Sequence, residues 1–336
     1  RLGEILGVPL VPVPWAPTGF WLPSDTAIRL GDSLAHRAGL FYLQEPSAMS
    51  PAEVLAHGLG ADLEGAHVID LAAAPGGKTT RLTDLVGRDG LVVANEIERK
   101  RLGTLHENLD RWGADNVVTT SRPLDVLADA LPGAFDAVLL DAPCTGEGMF
   151  RRDPEAVRQW SPAAVRGAAR RQAALLAAAE RLVAPGGVLV YSTCTFAPEE
   201  NEQQLVDLVA DRPEWSIEDA RYQESLSPGI ALPGADLPTE RSVRLWPHRH
   251  AGEGHFASLL RLDPAASRPA ATAAPDHRAT SRRDQGRSRR EGRSGEEVVR
   301  AWERFRADPL PGWAEGRGAR DLIEVRGDQA FLRPRA

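Results

Sequence analysis

The chain has almost no cysteine: Cys144 and Cys194 are the only two in 336 residues. A pair so far apart carries no zinc or iron–sulfur spacing, and the setting reads as cytosolic, where a disulfide is not expected. Long apolar runs are missing too. No window reaches about eighteen consecutive apolar residues, which excludes a membrane-spanning helix, and no signal peptide is legible. There is no excess of positive charge. The formal net charge is −7, so the total does not announce a nucleic-acid partner; electrostatic binding of one is left to a local basic face. The dinucleotide pattern GxGxxG and the phosphate loop GxxxxGK[ST] are both absent, which argues against nicotinamide or nucleoside-triphosphate binding. No histidine lies close in sequence to either cysteine, which weighs against a hydrolytic Cys–His site. No metal cluster is expected. A chain of this length can bury a large core, and one main domain with appendages is expected.

What is present is organised around HVIDLAAAPGGKTT, residues 67–80. Residues 67–71 read as a buried strand. Ala72, Ala73, Ala74, Pro75, Gly76 and Gly77 read as a tight turn, with the two glycines open to close approach. Lys78 starts a helix. Strand, turn and helix N-terminus together form a place where backbone N–H groups face a ligand. A purely structural turn is the alternative; a compact nucleoside such as S-adenosylmethionine is the functional reading. The next strand is expected over 90–95 and ends at Glu96, about twenty residues past the glycines, where a carboxylate can accept bonds from ribose hydroxyls.

Further strands are expected over 116–120, 135–140 and 188–192, with helices over 51–59 (capped by Ser50), 78–86, 97–112, 161–184 and 198–209. The run 185–187 reads as the end of a helix. Glu199, Glu200 and Glu202 read as acids at a helix's positive end. Residues 211–238 read as loop, and 242–246 with 256–262 as a late pair of strands. This is the α/β pattern of a Rossmann-like, seven-stranded methyltransferase sheet with helices on both faces. The domain boundaries expected are 1–50 for an N-terminal extension, 51–262 for the catalytic domain, 263–295 for a disordered arginine-rich linker and 296–336 for a small C-terminal segment. The linker's arginines suit transient RNA contact or a solubilising tether. Phe41 and Tyr42, beside Gln44 and Glu45, suit a pocket edge or ordinary packing.

If the five strands are parallel, three loops converge: 72–78, 141–148 and 193–196. Both cysteines lie in such loops, as a nucleophile needs and a core thiol does not. Residue patterns alone leave open which one attacks. Asp141 offers a carboxylate to an amino-pyrimidine edge and, if protonated, a proton for ring N3.

The strings VIDLAAAPGGKTT, LLDAPCTGEGMFRRDP and VYSTCTFAPEENE resemble three signature motifs of the NOP/SUN class of RNA cytosine-5 methyltransferases. GLFYLQEPSAM and PHRHAGEGHF resemble its bacterial branch acting on 16S ribosomal RNA. The resemblance runs from about residue 6 to 262. It implies S-adenosyl-L-methionine enclosed by residues 72–78, its ribose on Glu96, and Asp141 beside both cofactor and target base. It implies Cys194 as the attacking thiol and Cys144 as the aid to product release. Arg101 and Asn108 match positions on the helix after the ribose-binding strand. Asp125 stands two places late for the acidic residue that relatives place near the adenine. It also implies a cytoplasmic monomer with 16S ribosomal RNA or the small ribosomal subunit as partner; transfer RNA, or a non-catalytic assembly factor, are the alternatives. The family's N-terminal RNA-binding extension and C-terminal PUA-like domain are expected here only as remnants, the more so as the chain starts at Arg1 rather than Met.

Overall fold

The computed structural model describes residues 2–22, 30–267, 323–326 and 329–332. The chain divides into two compact units, Arg1–Thr272 and Ala273–Ala336. In the first, α1 (Leu2–Leu6) leads into an antiparallel hairpin of β1 (Val11–Val13) and β2 (Ala16–Trp21). Then come α2 (Leu34–Arg37) and α3 (Ser50–Leu59). Ser50 is not the cap of α3. The chain enters through a 3-10 turn at Ser47–Met49, and the Ser50 hydroxyl donates back to Ser47 O at 2.9 Å.

A βα series follows: β3 (His67–Asp70), α4 (Gly77–Val86), β4 (Leu91–Asn95), α5 (Arg99–Trp112), β5 (Val117–Thr120), α6 (Leu124–Ala130), β6 (Phe135–Asp141), α7 (Pro154–Gln159), α8 (Pro162–Ala179) and β7 (Val183–Thr193). The five strands are parallel, in the order β5-β4-β3-β6-β7. Their near-continuous apolar character has a direct cause. Val68, Leu139 and Val190 pack into one core layer, whereas their neighbours Ile69, Leu140 and Tyr191 pack into the other. A side-chain period of two with both faces covered leaves no polar position in mid-strand.

Beyond β7 come α9 (Glu202–Asp211), β8 (Trp215–Glu218), β9 (Ser227–Pro228), β10 (Val243–Leu245) and β11 (His255–Leu262). β11 runs antiparallel to β7. Its other edge is shared: residues 255–257 pair with β10 and 259–262 with β8. The sheet thus holds nine strands rather than the seven expected. The extra pieces, β8 and β9, lie in the stretch read as loop. In β8 only Trp215 and Ile217 face inward, too short an alternation to read as a strand. β7 also starts earlier than expected. Its Pro185-Gly186-Gly187 is the irregular opening of a strand, with a register shift against β6 and Gly186 at φ 81°, while the helix before it stops at Ala179.

In the second unit β12 (Ile323–Arg326) and β13 (Gln329–Leu332) pair antiparallel. The linker expected over 263–295, past Ser267, and most of the C-terminal segment expected over 296–336 lie outside the described residues. No helix among the described residues is long and apolar enough to cross a membrane.

Candidate active site

The turn after β3 is built by contacts within it and by contacts from β4 and α5. Asp70, 1% exposed, ends the strand and accepts from Thr79 Oγ1 at 2.8 Å and Ala72 N at 3.3 Å. Burial, opposed by those bonds and by Lys78, pushes its carboxyl up to about 6. Ala73 N donates to Asn95 O (2.9 Å) and Ala74 N to Glu96 Oε2 (3.3 Å). Arg101 ties the two sides together, donating to Ala74 O and standing 3.2 Å from Glu96 Oε2. Asn108 Nδ2 donates to Pro75 O at 2.6 Å. A Cβ on Gly76 would meet Leu105 Cδ1 at 3.3 Å, and one on Gly77 would meet Tyr42 Cε1 at 2.9 Å and Gln44 Cδ at 3.0 Å. Here the glycines admit neighbouring protein side chains. Gly76, at φ 116°, also needs the left-handed backbone that glycine favours.

Glu96 is 2% exposed and takes a third bond from Glu98 N at 2.8 Å. A carboxylate accepts about four bonds, so little acceptor capacity is left over. Tyr42 and Gln44, with Phe41, line a cavity of about 350 Å³ that also reaches Gly77 and Lys78. Glu45 is elsewhere, holding Glu253 N at 2.8 Å.

Lys78 reaches from the start of α4 to the end of β6, where Nζ donates to Asp141 Oδ2 at 2.6 Å. Asp141 Oδ1 accepts from Ser192 Oγ at 2.9 Å and lies 3.4 Å from Nε2 of His255, itself 4% exposed. Burial pushes the Asp141 carboxyl up, but the Lys78 ammonium and then His255 overcome it and hold the group well below the usual carboxylate range. Lys78 stays charged: burial lowers its pKa, but Asp141, then Asp70 and Cys194, raise it further. A proton for ring N3 is therefore not available from Asp141. The group is an ionised acceptor, suited to an amino donor.

Cys144 and Cys194 follow β6 and β7, neighbours in the sheet, and their Sγ atoms lie 3.3 Å apart. The hydrogen bond to Cys194, with burial and the charges of Cys194 and Asp141, pushes the Cys144 thiol well above the usual thiol range. The two loops brace each other. Glu147, on the first, accepts from Phe196 N at 2.8 Å and from Thr195 Oγ1 on the second. Glu200, fully buried beyond the second, accepts from Thr145 N (3.1 Å), Thr145 Oγ1 and Gln172 Nε2 (2.7 Å). Behind them Arg244 lies fully buried against Glu202 and donates to Phe196 O at 3.0 Å. Glu202 stands in the first turn of α9 and Glu200 in the 3-10 turn before it, as expected, and both are buried and hold loops as well.

The structure brings Lys78, Asp141, Cys144 and Cys194 to one end of the sheet, with 72–77, Glu96 and Arg101 adjoining. Asp125 is not drawn in; it sits exposed in the first turn of α6, accepting from Val126 N at 2.9 Å. Glu147, Glu200 and His255 were missed as site residues, although each lies inside a motif string.

Parallel strands followed by an antiparallel return strand, with reactive loops at the parallel strands' carboxyl ends, define the Rossmann-like methyltransferase fold. A model of the 16S rRNA methyltransferase RsmB/F family matches residues 61–261. The chain belongs to that family. It is 43% identical over 255 residues to ribosomal RNA small subunit methyltransferase F of Serratia proteamaculans, covering 75% of this chain and 51% of that protein. The Cronobacter sakazakii protein of the same name is 42% identical over 259 residues, covering 76% and 52%. The chain thus spans about half the length of the curated relatives it matches. Among solved structures, a methyltransferase homologue from Pyrococcus horikoshii aligns with TM-score 0.64 at 32% identity, covering 78% of this chain and 80% of that one. NSun6 from Pyrococcus horikoshii with SFG aligns with TM-score 0.59 at 33% identity, covering 72% and 57%.

Proposed function

We propose that the chain methylates C5 of a cytosine in 16S ribosomal RNA, in the cytoplasm, using S-adenosyl-L-methionine. The observation that carries this is the pair of thiols 3.3 Å apart beside the Lys78–Asp141 ion pair. Family membership and relatives named for the small-subunit RNA support the substrate. The cofactor fits the polar set at the ends of β3 and β4: Glu96, held against the turn at Ala74, with 72–78 around it. Bound there, S-adenosylmethionine supplies the methyl group; Asp125 has the weakest claim to touch it.

The chain's own residues do the rest. Cytosine C5 is a poor nucleophile. Addition of Cys194 Sγ to C6 breaks the C5–C6 π bond and places its electron pair on C5, which then takes the methyl group. The thiolate is the form of a cysteine that attacks, and the Cys144 thiol lies 3.3 Å from Cys194 Sγ. Asp141, ionised, accepts from the exocyclic amine and so prefers cytosine to uracil. Completion requires the C5 proton to leave; its electron pair re-forms the double bond as the C6–S bond breaks. Cys144 is suited to this later step. Once Cys194 is a thioether its charge and hydrogen bond no longer act on Cys144, while burial and Asp141 still do, so Cys144 releases its S–H proton to water before it takes the C5 proton.

The test is tritium transfer from labelled S-adenosylmethionine to naked 16S RNA, small subunits and transfer RNA in parallel. Cys194→Ala should bind cofactor but neither transfer methyl nor form an adduct. Cys144→Ala should accumulate an enzyme–RNA adduct that survives denaturing electrophoresis. An adduct with Cys194→Ala and none with Cys144→Ala would reverse the two roles; transfer to transfer RNA alone would replace the substrate.

A further inference from the structure

One exposed aromatic is wired to the nucleophile loop. Trp160 closes α7 and is 41% exposed. Its indole N–H donates to Glu147 Oε1 at 2.6 Å. The other oxygen of that carboxylate holds Phe196 N and Thr195 Oγ1, the residues next to Cys194. A surface tryptophan thus sits one carboxylate away from the attacking sulfur's loop, with its ring fixed by its own N–H.

Its surroundings are basic in an acidic chain. Residues 151–171 carry six arginines against two carboxylates, while the formal net charge of the whole is −7. All six arginines are exposed. Arg158 pairs with Glu155 at exposed positions, where solvent screens the pair, and the exposed Arg151 pairs with the half-buried Glu253. Arg152 stands beside Arg151, and Arg166, Arg170 and Arg171 follow on α8. A fixed aromatic face amid backbone-neutralising charge is how single-stranded nucleic acid is held without sequence readout.

We propose that the Trp160 ring stacks on an RNA base flanking the target cytosine, and that its N–H separately holds the Cys194 loop through Glu147. The inference rests on the RNA reading above and adds a subsite to it. Ring and N–H then have separable readouts. With a fluorescent single-stranded oligonucleotide containing cytosine, Trp160→Ala should weaken binding about 5- to 50-fold. Trp160→Phe keeps a ring and should bind within about twofold of wild type. In turnover, Trp160→Phe and Glu147→Gln should lower kcat with the KM for RNA retained, whereas Trp160→Ala raises KM as well. Photocrosslinking of the wild-type complex should yield a nucleotide adduct on the peptide containing Trp160, a readout that needs no variant to fold. Wild-type affinity in Trp160→Ala, equal loss in Trp160→Phe and Trp160→Ala, or crosslinks that avoid this peptide would each overturn the subsite. A wild-type protein that binds no RNA would instead bring down the functional reading and the subsite together.

Discussion

The turn after β3 and the two cysteine loops share one end of the sheet but are held in opposite ways. The turn is fixed by Thr79 on Asp70 within its own stretch and, from β4 and α5 further along the chain, by Asn95 O, Glu96, Arg101 and Asn108 on its backbone groups. The cysteine loops, fifty residues apart, are fixed by each other through two carboxylates, half-buried Glu147 from one side and buried Glu200 from the other. The turn takes its supports from the next strand and helix along the chain. Two thiols that must stay within reach of one ring need a brace neither loop supplies alone.

That contrast can be broken by substitution. The largest effect should come from Glu200→Ala, which strands Thr145 N and removes one of the two acceptors of Gln172 Nε2, leaving Pro143 O. A loss of about 3–5 kcal/mol in chemical denaturation is expected, with methyl transfer falling at least as far. A loss below about 1 kcal/mol would show that the brace is dispensable.

Gly→Ala substitutions then compare the two regions directly. On Gly148 a Cβ would lie 2.8 Å from Cys194 O and 2.9 Å from Gly254 O, both backbone atoms. About 2–4 kcal/mol and most of the activity should be lost. At Gly77 the clash is with the side chains of Tyr42 and Gln44, which can turn away, and alanine suits the first turn of α4. The cost there should be about 1 kcal/mol or less. Equal effects in parallel urea titrations would erase the difference.

The smallest effect concerns Asp70. Burial raises its folded pKa from 3.8 to about 6. The stability this contributes is complete below about pH 4 and is lost as pH rises through 6. Asp70→Asn can keep a bond to Thr79 and removes the titration. Its stability relative to wild type should therefore improve by about 1 kcal/mol between pH 5 and pH 8. An offset constant with pH would show that Asp70 does not titrate in that window.

Legibility in the sequence follows the same division. The turn, its strand and the order of the βα series were legible because apolar runs and glycines act within a few residues. The loops were legible as places, because both cysteines fall at strand ends. Their bracing was not. Glu200 and Glu202 are legible as acids at a helix start, but their burial against Thr145, Gln172 and Arg244, which arrive from elsewhere in the chain, is not. Arg244, 1% exposed in β10, is a charge whose burial makes sense only with Glu202 opposite. His255 lay inside a motif string, but nothing local shows it facing Asp141.

The antiparallel return of β11 sets a timetable for biosynthesis. Its first residues pair with the end of β7, set His255 beside Asp141 and put Gly254 against the ring of Phe196. They emerge from the ribosome about sixty residues after Cys194, last of the paired elements in the first unit. A nascent chain halted before that point owns both thiols and the glycine turn but not the strand that pairs with the end of β7. Competence to react therefore arrives in one late step, when the domain's final long-range pairing closes.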